Sequence, residues 1–345
     1  MKSTIYCGNR NMALLIDDIE AAWRSLRSLE EPRGWRSIPV ATIGPCAVRA
    51  GCAFPDKEEA ILAGFRRASL PPLERLPEGQ GFVVHRLDEE GGDTAWLALT
   101  RKPLASTELF KAMVGDVIQV LHDEKAEDDL RLARVFLGRV RAWQEFMRKG
   151  AQPLGPDAEV GLIGELVVLR AIIEAGVPAG AAVDAWVGPV DGLQDFELGS
   201  GAIEVKATVV ARGFPARIGT LEQLDDSARQ PLYLAGVRLA KSGSGENLPE
   251  HVESLQSMLD DDPQARRVFG DRIFRAGYLS AHSDRYPNRF TVAEVRGYLV
   301  DADFPRLTHG TVPPAVVRAA YDIDLEMVRG EILPLGTVLG VLGVI

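Results

Sequence analysis

The chain of 345 residues is 46% hydrophobic with a formal net charge of −10, enough apolar material for one large core or two smaller ones and too acidic to coat nucleic acid unspecifically. Three cysteines, at 7, 46 and 52, form no C-x-x-C pair, and no His/Cys cluster stands at zinc spacing, so a reduced, cytoplasmic setting is expected. The opening MKSTIYCGNRN has no apolar secretion stretch and the closing ILPLGTVLGVLGVI falls short of the roughly 20 residues of a membrane span, which excludes a membrane role from the reading.

Apolar residues at helical spacing (Met12, Leu15, Ile16, Ile19, Ala22, Trp23, Leu26) predict a helix over 12–29, followed by strands over 38–43 and 46–53. A helix is expected over 57–67, then the turn-rich connector PPLERLPEGQG. FVVHRLD and TAWLALTR flank EEGGD as a hairpin. A helix over 106–124 runs into the acidic DEKAEDD, where a boundary divides an N-terminal α+β domain, 1–127, suited to substrate recognition or oligomerisation, from a domain of 128–345. Two helices open the second part, over 129–149 and 157–176, the latter closed by Gly176 and Pro178. Strands are expected near 183–187, 193–198, 202–210 and 232–240, helices within 249–275, and strands near 290–300 and 315–325. KSGSGEN at 241–247 lacks the G-K-[ST] ending of a phosphate-binding loop and reads as a surface connector. The alternation of helical and strand patterns gives an α/β (α+β) class.

Residues 202–209, AIEVKATV, carry the chemistry. Alternation along a strand puts Ile203, Val205, Ala207 and Val209 on one face and Glu204, Lys206 and Thr208 on the other. An isolated E-x-K ordinarily means a solvated face with a weak ion pair; the D-x-K of Asp123 and Lys125, among charged neighbours, is such a case. Here the surroundings differ. On the 157–176 helix, Glu159, Arg170 and Glu174 share a solvated face, whereas Glu165 lies away from them beside Gly161, Gly164, Val168 and Leu169. A carboxylate against packed surface must be protonated, paired or bound to a cation. A bend through Gly199 and Gly201 would bring Asp195 beside Glu204, with Asp191 and Glu197 as competing acids. Adjacent carboxylates repel unless a cation lies between them, and Mg²⁺ takes one or two carboxylates, keeping its other positions for water and phosphate. Lys206 is placed to hold a water or a phosphate oxygen nearby; acting as a base, it would need a lowered pKa.

The order GLIGEL, W-x-G-P, DF, IEVK with a following Thr, and the QL pair at 223–224 resembles the PD-(D/E)XK nuclease superfamily, specifically the bacterial PD-(D/E)XK motif proteins of the DUF4420 type, best over residues 130–240. The resemblance implies a restriction-endonuclease-like core, a central mixed sheet flanked by helices, and a Mg²⁺-dependent DNA endonuclease of a restriction or phage-defence system, with Mn²⁺ as a substitute ion and RNA as a second substrate class. By motif, Glu165 is the helix acid, Asp195 the metal-binding aspartate and Glu204 the second carboxylate. Lys206 is the lysine, Val205 a backbone-carbonyl ligand, and Gln223 a residue orienting substrate or water. Asp195 departs from the motif in lacking a preceding proline. The group's chemistry further implies a homodimer cutting both strands, and ATPase, helicase or methyltransferase partners. A catalytically silent nucleic-acid-binding or assembly subunit is the alternative.

An acidic chain must meet a polyanion with a local patch. Arg134, Arg141 and Arg148 recur every seven residues along the 129–149 helix, opposite Phe136, Leu137 and Val140. With Arg212 and Arg217, which follow the catalytic strand, they are the expected phosphate contacts, each adding to a salt-sensitive affinity.

Overall fold

A computed structural model describes residues 12–66, 76–88, 92–124, 128–148 and 152–344. Cys7, Lys125 and Lys149 lie outside these residues, as do parts of the connector at 71–81, the hairpin turn at 89–93 and the acidic run. The chain divides into two compact units, Met1–Gln152 and Pro153–Ile345. The helix over 129–148, placed after a boundary at 127/128 by the sequence reading, therefore lies in the first unit.

The first unit is an antiparallel sheet carrying helices. Strands β1 (Gly34–Ile43), β2 (Cys46–Phe54), β3 (Glu58–Arg66), β4 (Phe82–Asp88) and β5 (Thr94–Arg101) stand in the order β1-β2-β3-β5-β4. FVVHRLD and TAWLALTR pair as expected, Phe82 opposite Arg101. The helix expected over 57–67 is instead β3, buried at every position from Glu59 to Phe65. A strand covered on both faces loses its polar alternation, and a short apolar run then fits helix and strand alike. Helices α1 (Met12–Arg27), α2 (Thr107–Glu124) and α3 (Asp129–Arg148) complete the unit. The Trp23 indole donates to the Ala60 carbonyl at 2.8 Å, and Phe136 of α3 meets Phe65 edge-on.

A buried and a half-buried acid in this unit are each matched by cations. Glu59, 2% exposed, lies 3.0 Å from both Arg27 and Arg101. Asp116 receives both arms of the buried Arg139 at 2.6 Å, and the Trp143 indole at 2.6 Å. Such bidentate pairing offsets the cost of taking both charges out of water.

The second unit is built on a four-stranded mixed sheet. β6 (Phe196–Leu198), β7 (Gly201–Thr208), β9 (Leu232–Glu246) and β10 (Phe290–Leu299) stand in the order β10-β9-β7-β6; only β7 and β9 are parallel. Ile203 and Val205 pack into a core with α4 (Pro156–Glu174), α6 (Leu248–Met258), α7 (Pro263–Arg275) and α8 (Leu335–Val341). The final apolar segment is buried through Leu335, Val338, Leu339 and Leu342. The opposite side carries a smaller core around Ala202, Phe214 and Leu234, with the two-stranded sheet of β8 (Pro215–Ile218) and β11 (Tyr321–Asp324).

Contacts that no local pattern encodes displace several expected elements. Residues 179–185 form helix α5 rather than a strand, leaving Trp186 in an isolated bridge with Phe196. The presumed connector at 241–247 continues β9 to Glu246: Ser242 N–H donates to the Arg289 carbonyl, and the Arg289 side chain to the Gly245 carbonyl. Backbone pairing needs no apolar side chain, so a Gly/Ser run extends a strand wherever a partner edge is offered. Val209 lies beyond the end of β7 and is exposed rather than part of its apolar face. Glu159 is 4% exposed, not on a solvated face; its Oε2 faces Asn288 at 3.5 Å and its Oε1 has no hydrogen-bond partner. Burial accordingly raises its pKa. Among the described residues, no helix is long and apolar enough to cross a membrane.

Candidate active site

The edge pair β6–β7 brings the first two acids together. Phe196 stands opposite Ile203, so the next step of the register brings Asp195 to Glu204. Asp195 Oδ2 accepts from the Val205 backbone N–H at 2.7 Å, and the Asp195 backbone N–H in turn bonds the Glu204 carboxylate. The turn before β6 fixes this arrangement from behind, since the N–H groups of Val187 and Gly188 both donate to the Asp195 carbonyl, at 2.8 and 3.0 Å.

The third acid comes from the helix packed on β7. α4 can approach closely because residue 164 is glycine: a Cβ there would lie 2.5 Å from the Cβ of Ala207. One residue further, the Glu165 Oε2 accepts the Trp186 indole N–H at 2.7 Å. Glu165 thereby faces the same space as Asp195. A methyl group on Gly188 would lie 2.7 Å from Asp195 Oδ1 and 3.5 Å from Glu165 Oε2. The missing side chain lets the backbone at 188 lie close against both carboxylates.

Lys206 completes the cluster, with its Nζ 2.6 Å from Glu204 Oε1 and 14% of its side chain exposed. Three acids therefore share one cation, and the titration of Glu165 and Glu204 reflects that surplus. Burial, then the charge of Asp195, pushes Glu204 up to about 8, against the pull of Lys206. Burial and Asp195 likewise hold Glu165 well above the carboxylate range, and burial raises Asp195. For Lys206 burial works against the charge, but Glu204, Asp195 and Glu165 outweigh it and the pKa rises. A base at this position would need a lowered pKa, and the acids around Lys206 raise it instead, which favours a donor role.

Among the described residues no three His, Cys, Asp or Glu side chains form a ready metal-binding group. The donor set nevertheless suits a hard ion that keeps most of its water. Such an ion takes one or two carboxylates, and here two surplus acids, Asp195 and Glu165, converge on Gly188.

The remaining expected residues lie elsewhere. Gln223 closes a turn, its Oε1 accepting from Gly219 N–H at 2.7 Å, and so is engaged locally. Arg212 and Arg217 are exposed in the second unit, while Arg134, Arg141 and Arg148 are exposed on α3 of the first. The sequence reading used W-x-G-P only as a marker and missed that Trp186 anchors Glu165 and that Gly188 lets Asp195 pack close. The available signal was an indole and a glycine shortly before Asp195, in a turn. Gln194, 3% exposed, was also missed; its amide donates to the Glu222 carbonyl at 3.2 Å, tying the 219–226 turn to the strand that carries Asp195.

A family model described as "Putative PD-(D/E)XK family member, (DUF4420)" matches residues 19–326. The chain belongs to the DUF4420 family. No curated protein and no solved structure matches it significantly. DUF4420 membership joins a nuclease-like superfamily to the convergence of Glu165, Asp195, Glu204 and Lys206, and the mixed β6–β7–β9–β10 sheet accords with a PD-(D/E)XK-like fold. The match spans most of both units, so the first unit belongs to this DUF4420 architecture as much as the second.

Proposed function

We propose that this DUF4420 protein is a Mg²⁺-dependent nuclease that hydrolyses phosphodiester bonds of DNA in a restriction or phage-defence system. The observation that carries the reading is the buried surplus of acid beside Gly188, with a single ammonium next to it. A purely structural cluster gains nothing from three carboxylates and one cation, because unpaired buried charge is costly.

Asp195 Oδ1, Glu204 and the Val205 carbonyl would hold the ion, with Glu165 reaching it directly or through water. A bound divalent ion supplies an activated water at neutral pH and neutralises charge building on the phosphate. The protein's own groups do the rest. Lys206 donates from Nζ to a phosphate oxygen or to the attacking water, and its fixed Glu204 partner limits the reorganisation needed as charge develops. Trp186 holds one oxygen of Glu165 and leaves the other for water. The Val205 N–H holds the Asp195 carboxylate through Oδ2 and leaves Oδ1 turned towards Gly188. Phosphates away from the scissile bond would meet Arg212 and Arg217 in this unit.

The test is incubation of the purified protein with DNA and Mg²⁺, with EDTA and Lys206→Ala as controls. Cleavage abolished by both is expected. Cleavage surviving both would assign the activity to another site or a contaminant, and binding without cleavage would mark the silent-subunit alternative.

A further inference from the structure

The first unit contains a cleft of about 640 Å³ bordered by Pro77, Glu78, Lys102, Arg141, Gln144 and Arg148, which the proposed chemistry does not use. That volume lies within the roughly 300–1,000 Å³ of small-ligand sites. Its walls are fixed by the fold. Gln144 of α3 donates to the Glu78 carbonyl at 2.8 Å, Val84 N–H to the Pro77 carbonyl at 3.1 Å, and Lys102 N–H to the Gly81 carbonyl at 3.0 Å. The side of α3 bearing Arg141 and Arg148 is thus held against the 76–80 turn.

The charge of the lining points to an anion. Three cations, Lys102, Arg141 and Arg148, face one carboxylate, Glu78, in a chain whose overall charge is −10. Lys102 pairs with Glu78 at 2.7 Å and Arg148 with Glu145 at 2.8 Å, whereas Arg141 makes no ion pair among the described residues. Guanidinium and ammonium groups around a pre-formed cleft suit phosphate oxygens, and Arg forks suit them bidentately.

We infer that this cleft binds a phosphate-bearing nucleotide, either as part of a polynucleotide strand or free, and that the first unit serves as a recognition element. The inference rests on the nucleic-acid reading only for the polymer. In this view Arg141 is the central contact, Lys102 and Arg148 turn from their carboxylate partners towards the phosphate, and Glu78 competes with the ligand. Arg134, on the same α3 stripe but outside the lining, contributes little.

The experiment uses the full-length Glu204→Gln protein in EDTA, so that binding is read without cleavage. Anisotropy of a labelled five-nucleotide single strand and calorimetry with a nucleoside diphosphate separate the two sources. Arg141→Glu should weaken the ligand that binds at least tenfold and lower its salt dependence, Glu78→Gln should tighten it two- to threefold, and Arg134→Ala should change it less than twofold. An Arg141→Glu effect below twofold, or equal losses at Arg134 and Arg141, would overturn the cleft. Mg²⁺-dependent cleavage by the otherwise unaltered chain, measured in parallel, shows whether the nuclease reading stands regardless of that outcome.

Discussion

Both units bury carboxylates, and they treat them in opposite ways. In the first, Glu59 is flanked by Arg27 and Arg101, and Asp116 is clasped by Arg139 and Trp143. In the second, Glu165, Asp195 and Glu204 share Lys206, and all three acids titrate above their ordinary range. A matched acid holds structure together; an unmatched set stores electrostatic repulsion that a cation can relieve. The contrast locates the candidate chemistry in this chain more sharply than any single motif.

Activity should separate the two regions most widely. Lys206→Ala and Asp195→Asn are expected to lower the cleavage rate by about 10²-fold or more with the fold retained, judged by gel assay and circular dichroism. Asp116→Asn should leave the chemistry of surviving folded protein intact. Stability should then respond with opposite sign. Removing the Asp116 charge weakens the charge-assisted bonds to the buried Arg139 and should cost about 1–3 kcal/mol in denaturant unfolding. Glu204→Gln removes a group that ionises in the unfolded chain but stays largely protonated in the fold, and should stabilise the metal-free protein near pH 7.5 by on the order of 1–2 kcal/mol. The sign follows from the folded pKa of about 8, above the unfolded value: the stabilisation from Glu204 is full below about pH 4.5 and is lost as pH rises towards 8. The Gln variant should flatten that slope, and an unchanged slope would mean that Glu204 does not carry the repulsion.

Smaller effects refine the geometry. Gly188→Ala places a methyl group against Asp195 Oδ1 and should reduce metal-dependent activity about tenfold, by the cost of a displaced catalytic group. Gln223→Ala should change activity less than twofold, because its amide closes a turn at Gly219.

The sequence disclosed the site unevenly, for physical reasons. A glutamate and a lysine on alternate positions of an apolar run expose β7, and the Gly199–Gly201 bend predicts that Asp195 meets Glu204; both are local patterns. The helix α4 is equally legible from its period, but Glu159 was misplaced because its burial comes from Asn288 and its neighbours, distant in sequence. β3 was read as a helix because a strand covered on both faces has no alternation to show. The extension of β9 through Lys241–Glu246 depends on backbone pairing with the chain at 289–291, which Gly and Ser side chains cannot announce. Trp186 and Gly188 act through an indole N–H and an absent side chain, features that acquire meaning only once Glu165 and Asp195 are beside them.

The central claim is that the acid surplus awaits a divalent cation. Titrating Mn²⁺ into the full-length protein at pH 7, in two buffers of different ionisation heat, measures uptake and proton release together. With Glu204 raised to about 8, saturable binding should expel about one proton, and Asp195→Asn should abolish it. No saturable uptake even with substrate DNA present, or uptake indifferent to Asp195→Asn, would contradict the account.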